Sequence, residues 1–208
     1  MKNIYEKQNS LQTWSESDSF TIERYEQFSK FISKSNCKIL DIGCNTGRGA
    51  AKLKGINPSF EITGVDVVEK RLSSSDMFKE VIYGSLLDLH SKYDNSFDYV
   101  VAGEVIEHIL PNEVDLFLSK IYKILKTGGT CLLTTPNPNS LLVLLGNKKI
   151  FDDPSHFSIM PSSILKDKVS RIGFNNIQIQ GSGKASRYLT PIFPFLFPFG
   201  SYLLIAKK

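Results

Sequence analysis

The sequence has little that would suit a secreted, nucleic-acid-binding or membrane-spanning protein. Its three cysteines, Cys37, Cys44 and Cys131, are an odd number without C-x-x-C spacing. We therefore expect them to be reduced, small apolar residues of a cytoplasmic protein. No run of lysine or arginine exceeds two residues and the formal net charge is only +4, which disfavours a nucleic-acid partner. The first ten residues have no apolar core, so we expect no signal peptide.

What remains is the composition of an ordinary globular protein. Hydrophobic residues make up 41% of the 208 residues and charged residues 22%, which are typical fractions for a soluble domain. The chain is long enough for one α/β domain with a full core.

Residues 38–49, K-I-L-D-I-G-C-N-T-G-R-G, are the most informative stretch. The apolar residues Ile39, Leu40 and Ile42 predict a buried parallel strand, and the glycines that follow predict a tight turn into a helix. Glycine lets backbone N–H groups come close to a ligand. The spacing is G-x-x-x-G-x-G behind an acid, not the G-x-G-x-x-G of dinucleotide sites. Asp41 would repel a diphosphate and therefore favours a ligand with a cationic amine.

Periodicity of apolar residues and turn signals place the other elements. The sequence predicts that the chain between 126 and 129 is a helix stop capped by glycine, and that 146–158 is a polar loop. Helices are predicted at 21–33, 46–53, 113–125, 139–145 and 161–172, and strands at 38–42, 61–67, 80–84, from 97 to just before Glu104, at 130–135, from 173 and from 201.

The chain resembles the class I S-adenosylmethionine-dependent methyltransferases, and among them the ubiquinone-biosynthesis O-methyltransferases and related small-molecule enzymes. The resemblance covers about residues 36–140. Its carriers are the acid and G-x-x-x-G that begin at Asp41, the acid Asp66 at the end of the second strand, and the run from F-D-Y-V-V-A-G-E-V-I-E-H-I to T-T-P-N. It implies an α/β, Rossmann-like fold with a seven-stranded mixed sheet, helices on both faces, and the seventh strand antiparallel beside the fifth.

The same resemblance implies how the cofactor S-adenosylmethionine is held. A carboxylate at the tip of the second strand can also accept hydrogen bonds from both ribose hydroxyls. Many relatives have an acid after the third strand, whereas this chain has Ser85 there, with Asp88 as the alternative. The expected contacts are Asp41, Gly43, Cys44 and Gly47 with the methionine end, Asp66 with the ribose, Ser85 and Leu86 with the adenine, and Ala102 and Gly103 along the inner edge.

Four polar residues are expected to face the methyl acceptor: Glu104, Glu107, His108 and His156. The E-x-x-E-H spacing at Glu104 to His108 is similar to that of ubiquinone O-methyltransferases and of RNA 3′-terminal 2′-O-methyltransferases, which implies a divalent metal, Mg²⁺ or Mn²⁺, on these four residues. A metal-free alternative makes Glu107, His108 or His156 the base that removes the acceptor's proton. In a third interpretation Glu107 and His108 only orient the local turn.

The resemblance also sets the expected organisation of the chain as one methyltransferase domain. A cap helix is expected within 1–36, the cofactor-binding core at 37–140, and an acceptor-side lid with the last strands at 141–208. Residues 188–206 carry no charge, but their prolines would break a membrane-spanning helix. The Phe-rich stretch 188–200 is instead predicted to line the acceptor pocket, to rest on a membrane surface or partner subunit, or to be a buried connection.

The predicted function is methyl transfer to oxygen of a small-molecule, lipid-linked or glycan acceptor. Methylation of RNA at the 2′-oxygen is a rival prediction, which the weak net charge disfavours. A module that binds S-adenosylmethionine without catalysis is a rival from another class, and a nicotinamide-dependent dehydrogenase is the third.

Overall fold

A computed structural model describes residues 5–7, 19–72, 77–183, 195–196 and 198–208. One seven-stranded sheet has the strand order β3-β2-β1-β4-β5-β7-β6. All neighbouring strands from β3 to β5 are parallel, whereas β7 is antiparallel to both β5 and β6. The strands are β1 Lys38–Ile42, β2 Glu61–Asp66, β3 Glu80–Tyr83, β4 Phe97–Gly103, β5 Leu125–Pro136, β6 Asn175–Ser182 and β7 Ser201–Lys207.

Six α-helices and four short 3₁₀ helices have both ends within the described residues, and residues 5–7 are also helical. None of the helices in that part of the chain combines the length and hydropathy that a membrane span requires. The helices are α1 Ser19–Ser29, α2 Arg48–Ile56, α3 Val114–Ile124, α4 Leu141–Leu144, α5 Lys149–Asp152 and α6 Ser162–Ile172, and the 3₁₀ helices are Glu69–Arg71, Leu86–Asp88, Ser91–Tyr93 and Ile106–His108.

Side chains alternate between the two faces of the central strands, so each strand contributes to two cores. On one face, Ile39 of β1 and Val101 of β4 pack with α1 and α2. On the other face, Leu40 and Val100 pack with α3 and α6. Helices therefore cover both faces, and the predicted seven-stranded mixed α/β sheet is confirmed.

Two local predictions are wrong. Residues 126–129 are not a helix stop, because β5 begins at Leu125, directly after α3. Gly128 has φ +77° and its N–H donates to the carbonyl of Lys208, while Lys208 N–H donates to the carbonyl of Gly129. The glycines thus form an irregular start of the strand, held by the end of the chain. The predicted polar loop 146–158 contains the short helix α5.

Two glycines of α2 differ in what surrounds them, and this difference predicts opposite effects on stability. A Cβ at Gly49 would lie 2.2 Å from the Tyr25 ring, whereas a Cβ at Gly55 would meet nothing within 4 Å. We expect Gly49→Ala to lower the free energy of unfolding by about 1–3 kcal/mol because the buried ring must move. Gly55→Ala should raise it by about 0.5–1 kcal/mol through helix propensity. Urea denaturation measures both, and a stabilised Gly49→Ala variant would contradict the packing of α1 on α2.

Candidate active site

A cavity of about 350 Å³ lies at the carboxyl ends of β1, β2 and β4, which is where open α/β sheets bind ligands. Its wall is formed by the glycine turn, by the ends of β2 and β3, and by the segment after β4. Residues of α1 also line it. Its lining includes Gly43, Cys44, Asn45, Asp66, Ser85, Leu86, Gly103, Glu104, Glu107, His108 and His156 together with Tyr5, Arg24, Tyr25, Arg48 and Arg71.

The glycine turn has the left-handed backbone conformation that its glycines predict. Gly43 has φ +71° and donates its N–H to the Val65 carbonyl at 2.8 Å, which fastens the turn to β2. A Cβ at Gly43 would come within 2.8 Å of the Val105 side chain. Gly47 has φ +83° and is the N-cap residue of α2. Because both positions need the left-handed region and Gly43 also needs the space, glycine is required there.

Asp41 is completely buried and its carboxylate is covered by α1. The Tyr25 hydroxyl donates to Asp41 Oδ1 at 2.5 Å, while Oδ2 has no hydrogen-bond partner among the described residues. Burial raises the pKa of this carboxyl to about 7, the Tyr25 hydrogen bond lowers it, and the charge of Asp66 raises it further. Asp41 thus lies behind the cavity wall with one oxygen still able to accept a donor.

Asp66 lies at the cavity edge of β2, as the sequence predicts. Its Oδ2 accepts the Asn45 N–H at 2.9 Å and its Oδ1 accepts the Val68 N–H at 2.8 Å. Burial raises the pKa of the carboxyl, and these two backbone hydrogen bonds lower it. Both oxygens keep further lone pairs for a ligand's hydroxyls.

Six of the nine predicted cofactor residues line the cavity and three do not. Asp41, Gly47 and Ala102 are absent from the lining, and Ala102 packs in the core below. The Ser85 hydroxyl accepts the Leu87 N–H at 3.2 Å and so caps a 3₁₀ turn. The alternative residue, Asp88, is exposed and does not reach the cavity.

The sequence-based list of site residues missed Arg24 and Tyr25, which α1 places over the glycine turn. Arg24 Nε lies 3.6 Å from Glu104 Oε1, and the Tyr25 ring occupies the space above Gly49. Apolar periodicity identified this helix but not the contacts that its polar side chains make.

Glu107 is completely buried at the cavity floor, in the 3₁₀ turn after β4. Its Oε2 accepts the Thr135 hydroxyl at 2.9 Å, and its Oε1 has no hydrogen-bond partner among the described residues. Burial raises the pKa of this carboxyl well above its usual range, and the charge of Glu104 raises it further. The backbone carbonyl of Glu107 also accepts the N–H groups of Phe157 and Ser158 at 2.7 and 2.9 Å, which holds the later loop against this turn.

His108 and His156 meet at this point, although 48 positions separate them. Their rings are T-shaped with centroids 4.9 Å apart. His108 Nδ1 lies 3.0 Å from the Ser155 carbonyl and His156 Nδ1 lies 2.7 Å from the Ile150 carbonyl. A carbonyl only accepts, so each Nδ1 carries a proton, and in a neutral ring Nε2 keeps its lone pair. Burial lowers the pKa of His108 to about 4, and the neighbouring His156 lowers it further, so His108 is neutral at pH 7.

Three of the four predicted acceptor-side residues converge. One ligand atom each of Glu107, His108 and His156 lies within 4.8 Å of the others. Glu104 is not in this group because its backbone has φ +56°, a left-handed conformation that turns the chain away from a regular helix. Its carboxylate pairs with Arg24 and accepts the Ser201 hydroxyl at 3.3 Å.

The predicted role of 188–200 falls mostly on residues outside those that the structure describes. The described part near its end is anchored, since the buried Asn137 side chain donates to the carbonyls of Leu196 and Phe199 at 2.9 and 3.1 Å.

Sequence comparisons identify relatives of this chain among known proteins. A family model described as a methyltransferase domain matches residues 14–179. The mitochondrial ubiquinone biosynthesis O-methyltransferase of Mus musculus is 33% identical over 122 residues, which are 54% of this chain and 32% of that protein. The tRNA U34 carboxymethyltransferase of Helicobacter pylori (strain P12) is 33% identical over 153 residues, which are 68% of this chain and 57% of that protein.

Solved structures are similar over nearly the whole chain. A SAM-dependent methyltransferase from Archaeoglobus fulgidus has a TM-score of 0.69 at 22% identity, with 88% of this chain and 92% of that chain covered. The sequence matches, in contrast, span about a third of the mouse protein and just over half of the Helicobacter protein.

Proposed function

Since the chain belongs to the family of methyltransferase domains, we propose that it transfers a methyl group from S-adenosylmethionine to an oxygen of a small-molecule, lipid-linked or glycan acceptor. The membership agrees with the family that the glycine turn and the E-x-x-E-H run predicted. The class of acceptor is the part that is proposed. It is supported by the polar side chains of Glu107, His108 and His156, which lie at the cavity after Gly103.

The observation that carries the proposal is the convergence of Glu107, His108 and His156 at the cavity. An in-line displacement on a sulfonium needs alignment of the nucleophile more than it needs bond-making groups of the protein. A hydroxyl nucleophile must also lose its proton. Three proton-accepting or metal-binding groups at one end of the cofactor cavity fit that requirement, whereas a neutral amine attacks through its lone pair without first losing a proton.

Protonation decides what these groups can do. The lowered pKa of His108 leaves its imidazole uncharged near pH 7, and the raised pKa of Glu107 shifts its carboxyl toward the protonated form. Either the Nε2 of a histidine accepts the acceptor's proton directly, or a cation ionises Glu107 first. The buried Oε1 of Glu107, which accepts no hydrogen bond from the described residues, points to a missing positive partner.

The residues fit a divalent metal, and the metal belongs to the proposal. Glu107, His108 and His156 would hold it, and Mn²⁺ suits this mixed oxygen and nitrogen set better than Mg²⁺. Each Nδ1–H donates to a backbone carbonyl, and metal-binding histidines are usually oriented by such a hydrogen bond. When bound, such an ion lowers the pKa of a hydroxyl that it contacts.

RNA is the second candidate acceptor, because a tRNA-modifying enzyme is among the relatives. The chain itself has no long basic run and a net charge of +4, which suits a footprint on phosphates poorly. Release of S-adenosylhomocysteine that is stimulated by bulk tRNA, and not by the small-molecule panel, would establish RNA as the acceptor.

Thermal melting tests the cofactor and the metal separately. The protein is melted with S-adenosylmethionine, S-adenosylhomocysteine or NAD, each with and without Mn²⁺ or Mg²⁺. A ligand at a hundred times its Kd stabilises by about 2.7 kcal/mol, which is a shift of roughly 5–11 °C for a domain of this size. We expect shifts with the two sulfur nucleotides and none with NAD. A shift with NAD alone would overturn the proposal.

The metal is tested by the same melt on two variants. Glu107→Ala should lose the additional shift that Mn²⁺ causes, whereas Glu61→Ala, at the opposite end of β2, should keep it.

Tight cofactor binding without turnover on phenols, lipid-linked alcohols, glycosides or RNA would instead identify a non-catalytic binding module.

A further inference from the structure

An apolar surface stands out on the chain just after β5. Six of the ten large hydrophobic side chains that are exposed in the described residues lie in two short segments. We call them the leucine patch: Leu141, Leu142, Leu144 and Leu145, which are 44%, 57%, 70% and 75% exposed, with Phe151 and Phe195, 50% and 58% exposed. A soluble protein seldom exposes so many large apolar side chains to water.

The two segments of the leucine patch are fastened to the same strand end. Asn137, directly after β5, donates from its side chain to the carbonyls of Leu196 and Phe199 and from its backbone to that of Gly200 at 2.8 Å. Four residues later α4 begins, capped by the Ser140 hydroxyl. Phe195 therefore lies in the segment that runs beside the start of the leucine helix.

The patch is also joined to the acceptor end of the cavity. The chain continues from Phe151 to His156, whose Nδ1–H donates to the Ile150 carbonyl. The next residue, Phe157, donates its backbone N–H to the Glu107 carbonyl. A short segment of chain therefore connects the leucine patch to the groups that face the acceptor.

The shape of the patch suits immersion better than a pocket. At about 100° per residue, the four leucines cover an arc of roughly 160° of α4, and their exposure rises toward Leu145. A groove in a protein partner would have to match this helix in shape, whereas a lipid surface needs no such complementarity.

The charges next to the leucines are basic. Lys148 and Lys149 are exposed, and 141–151 contains no acidic residue. Two acids follow Phe151: Asp152 is exposed, whereas Asp153 lies 3.8 Å from His156 Nε2. In the sequence, 184–194, which leads to Phe195, carries Lys184 and Arg187 and again no acid, although the chain has 21 acidic residues. Lysines next to an apolar protrusion are the pattern that anionic headgroups attract.

We propose that the leucine patch docks on the surface of an anionic lipid bilayer, with Lys148 and Lys149 at the level of the headgroups. Docking holds the acceptor end of the cavity near the bilayer. The inference deepens the proposed function in one respect, because it favours a lipid-linked acceptor over a freely soluble one.

Flotation of the purified full chain with vesicles tests this surface. We expect binding to vesicles of phosphatidylcholine with phosphatidylglycerol and much weaker binding to phosphatidylcholine alone. Leu144→Asp/Leu145→Asp should weaken binding by at least roughly a hundredfold, because two leucines no longer enter the bilayer. Lys148→Glu/Lys149→Glu should weaken it by roughly thirtyfold or more, at about fivefold for each lysine charge lost.

Matched controls carry the same changes elsewhere. Leu116 of α3 is 60% exposed, and Lys30 and Lys166 are exposed. Leu116→Asp and Lys30→Glu/Lys166→Glu should bind the anionic vesicles within about twofold of the unmodified protein, as expected for changes outside the interface.

The outcomes separate this surface from the proposed function. A protein that melts higher with S-adenosylhomocysteine but binds neither vesicle overturns the docking and leaves the cofactor assignment intact. Binding that survives Leu144→Asp/Leu145→Asp, or that is equal on both vesicles, also overturns it. A concentration-dependent dimer that the leucine variant abolishes, with no vesicle binding, would assign the patch to a second copy of the chain. Vesicle binding without a nucleotide shift would support the docking and refute the methyltransferase.

Discussion

Glu107→Gln should lower the rate of methyl transfer by a factor of roughly 10² to 10⁴, the range that general acid–base or metal-binding groups contribute. The affinity for S-adenosylhomocysteine should stay within about twofold, because the side chain lies at the acceptor end of the cavity. The glutamine has the same shape and can still accept the Thr135 hydroxyl that now bonds to Oε2. What it cannot do is ionise.

The raised pKa of Glu107 makes this substitution informative. If the carboxyl stayed protonated throughout catalysis and only filled space, glutamine would replace it with little loss. If it binds a cation or accepts a proton, the charged form is essential and the neutral amide cannot supply it. The same change therefore separates a structural carboxyl from a working one.

The measurement is the initial rate of S-adenosylhomocysteine release with the acceptor found from a panel of phenols, lipid-linked alcohols and glycosides. Glu61→Gln, an exposed glutamate at the far end of β2, is the control and should keep full activity. Activity of Glu107→Gln within threefold of the unmodified enzyme would remove Glu107 from the reaction.

Local sequence patterns predict the elements whose conformation depends on neighbouring residues alone. The strand at 38–42 was predicted at its observed bounds, because a short apolar run before glycine has few other conformations. The sequence of 126–129 misled because a glycine pair after an amphipathic helix usually ends it. Here the backbone of Lys208 supplies hydrogen bonds across the sheet, and no local pattern encodes a partner 80 residues away.

The site divides in the same way. Asp66 and Gly43 follow from strand ends and turn chemistry, which the order of residues records. The meeting of His108 and His156 depends on a loop folding back onto the Glu107 carbonyl, so the family resemblance was needed to suggest it. The displacement of Glu104 from that group follows from its positive φ, which a glutamate gives no reason to expect.

Asp41→Asn should stabilise the ligand-free protein above pH 7 while weakening its affinity for S-adenosylmethionine by roughly 10- to 100-fold, the value of one charge-assisted contact. The pKa of Asp41 is raised from 3.8 to about 7 in the folded protein. A raised acid pKa means that the folded state binds the proton more tightly than the unfolded state. Ionisation therefore costs stability progressively between about pH 4 and pH 7, and the full cost is present at pH 8.

The neutral asparagine avoids that cost and can still accept the Tyr25 hydroxyl. At 1.36 kcal/mol per pKa unit, the gain at pH 8 is at most about 4 kcal/mol. It should nearly disappear at pH 4, where the carboxyl is protonated in the folded state and about half protonated in the unfolded state. Urea denaturation at pH 4, 6 and 8 measures it. Asp167→Asn, an exposed change on α6, should give no such pH dependence.

Cofactor affinity should follow the opposite course. If the ammonium of S-adenosylmethionine pairs with an ionised Asp41, affinity in the unmodified protein should rise with pH and level off above about pH 7. In Asp41→Asn this rise should be absent. An unchanged affinity in the variant would show that the Tyr25 hydroxyl, not the cofactor, is the partner for which the buried carboxylate is kept. The energetic cost of burying Asp41 at neutral pH is thus expected to be the source of its cofactor affinity, since a carboxylate already desolvated by α1 attracts a cation more strongly than one in water.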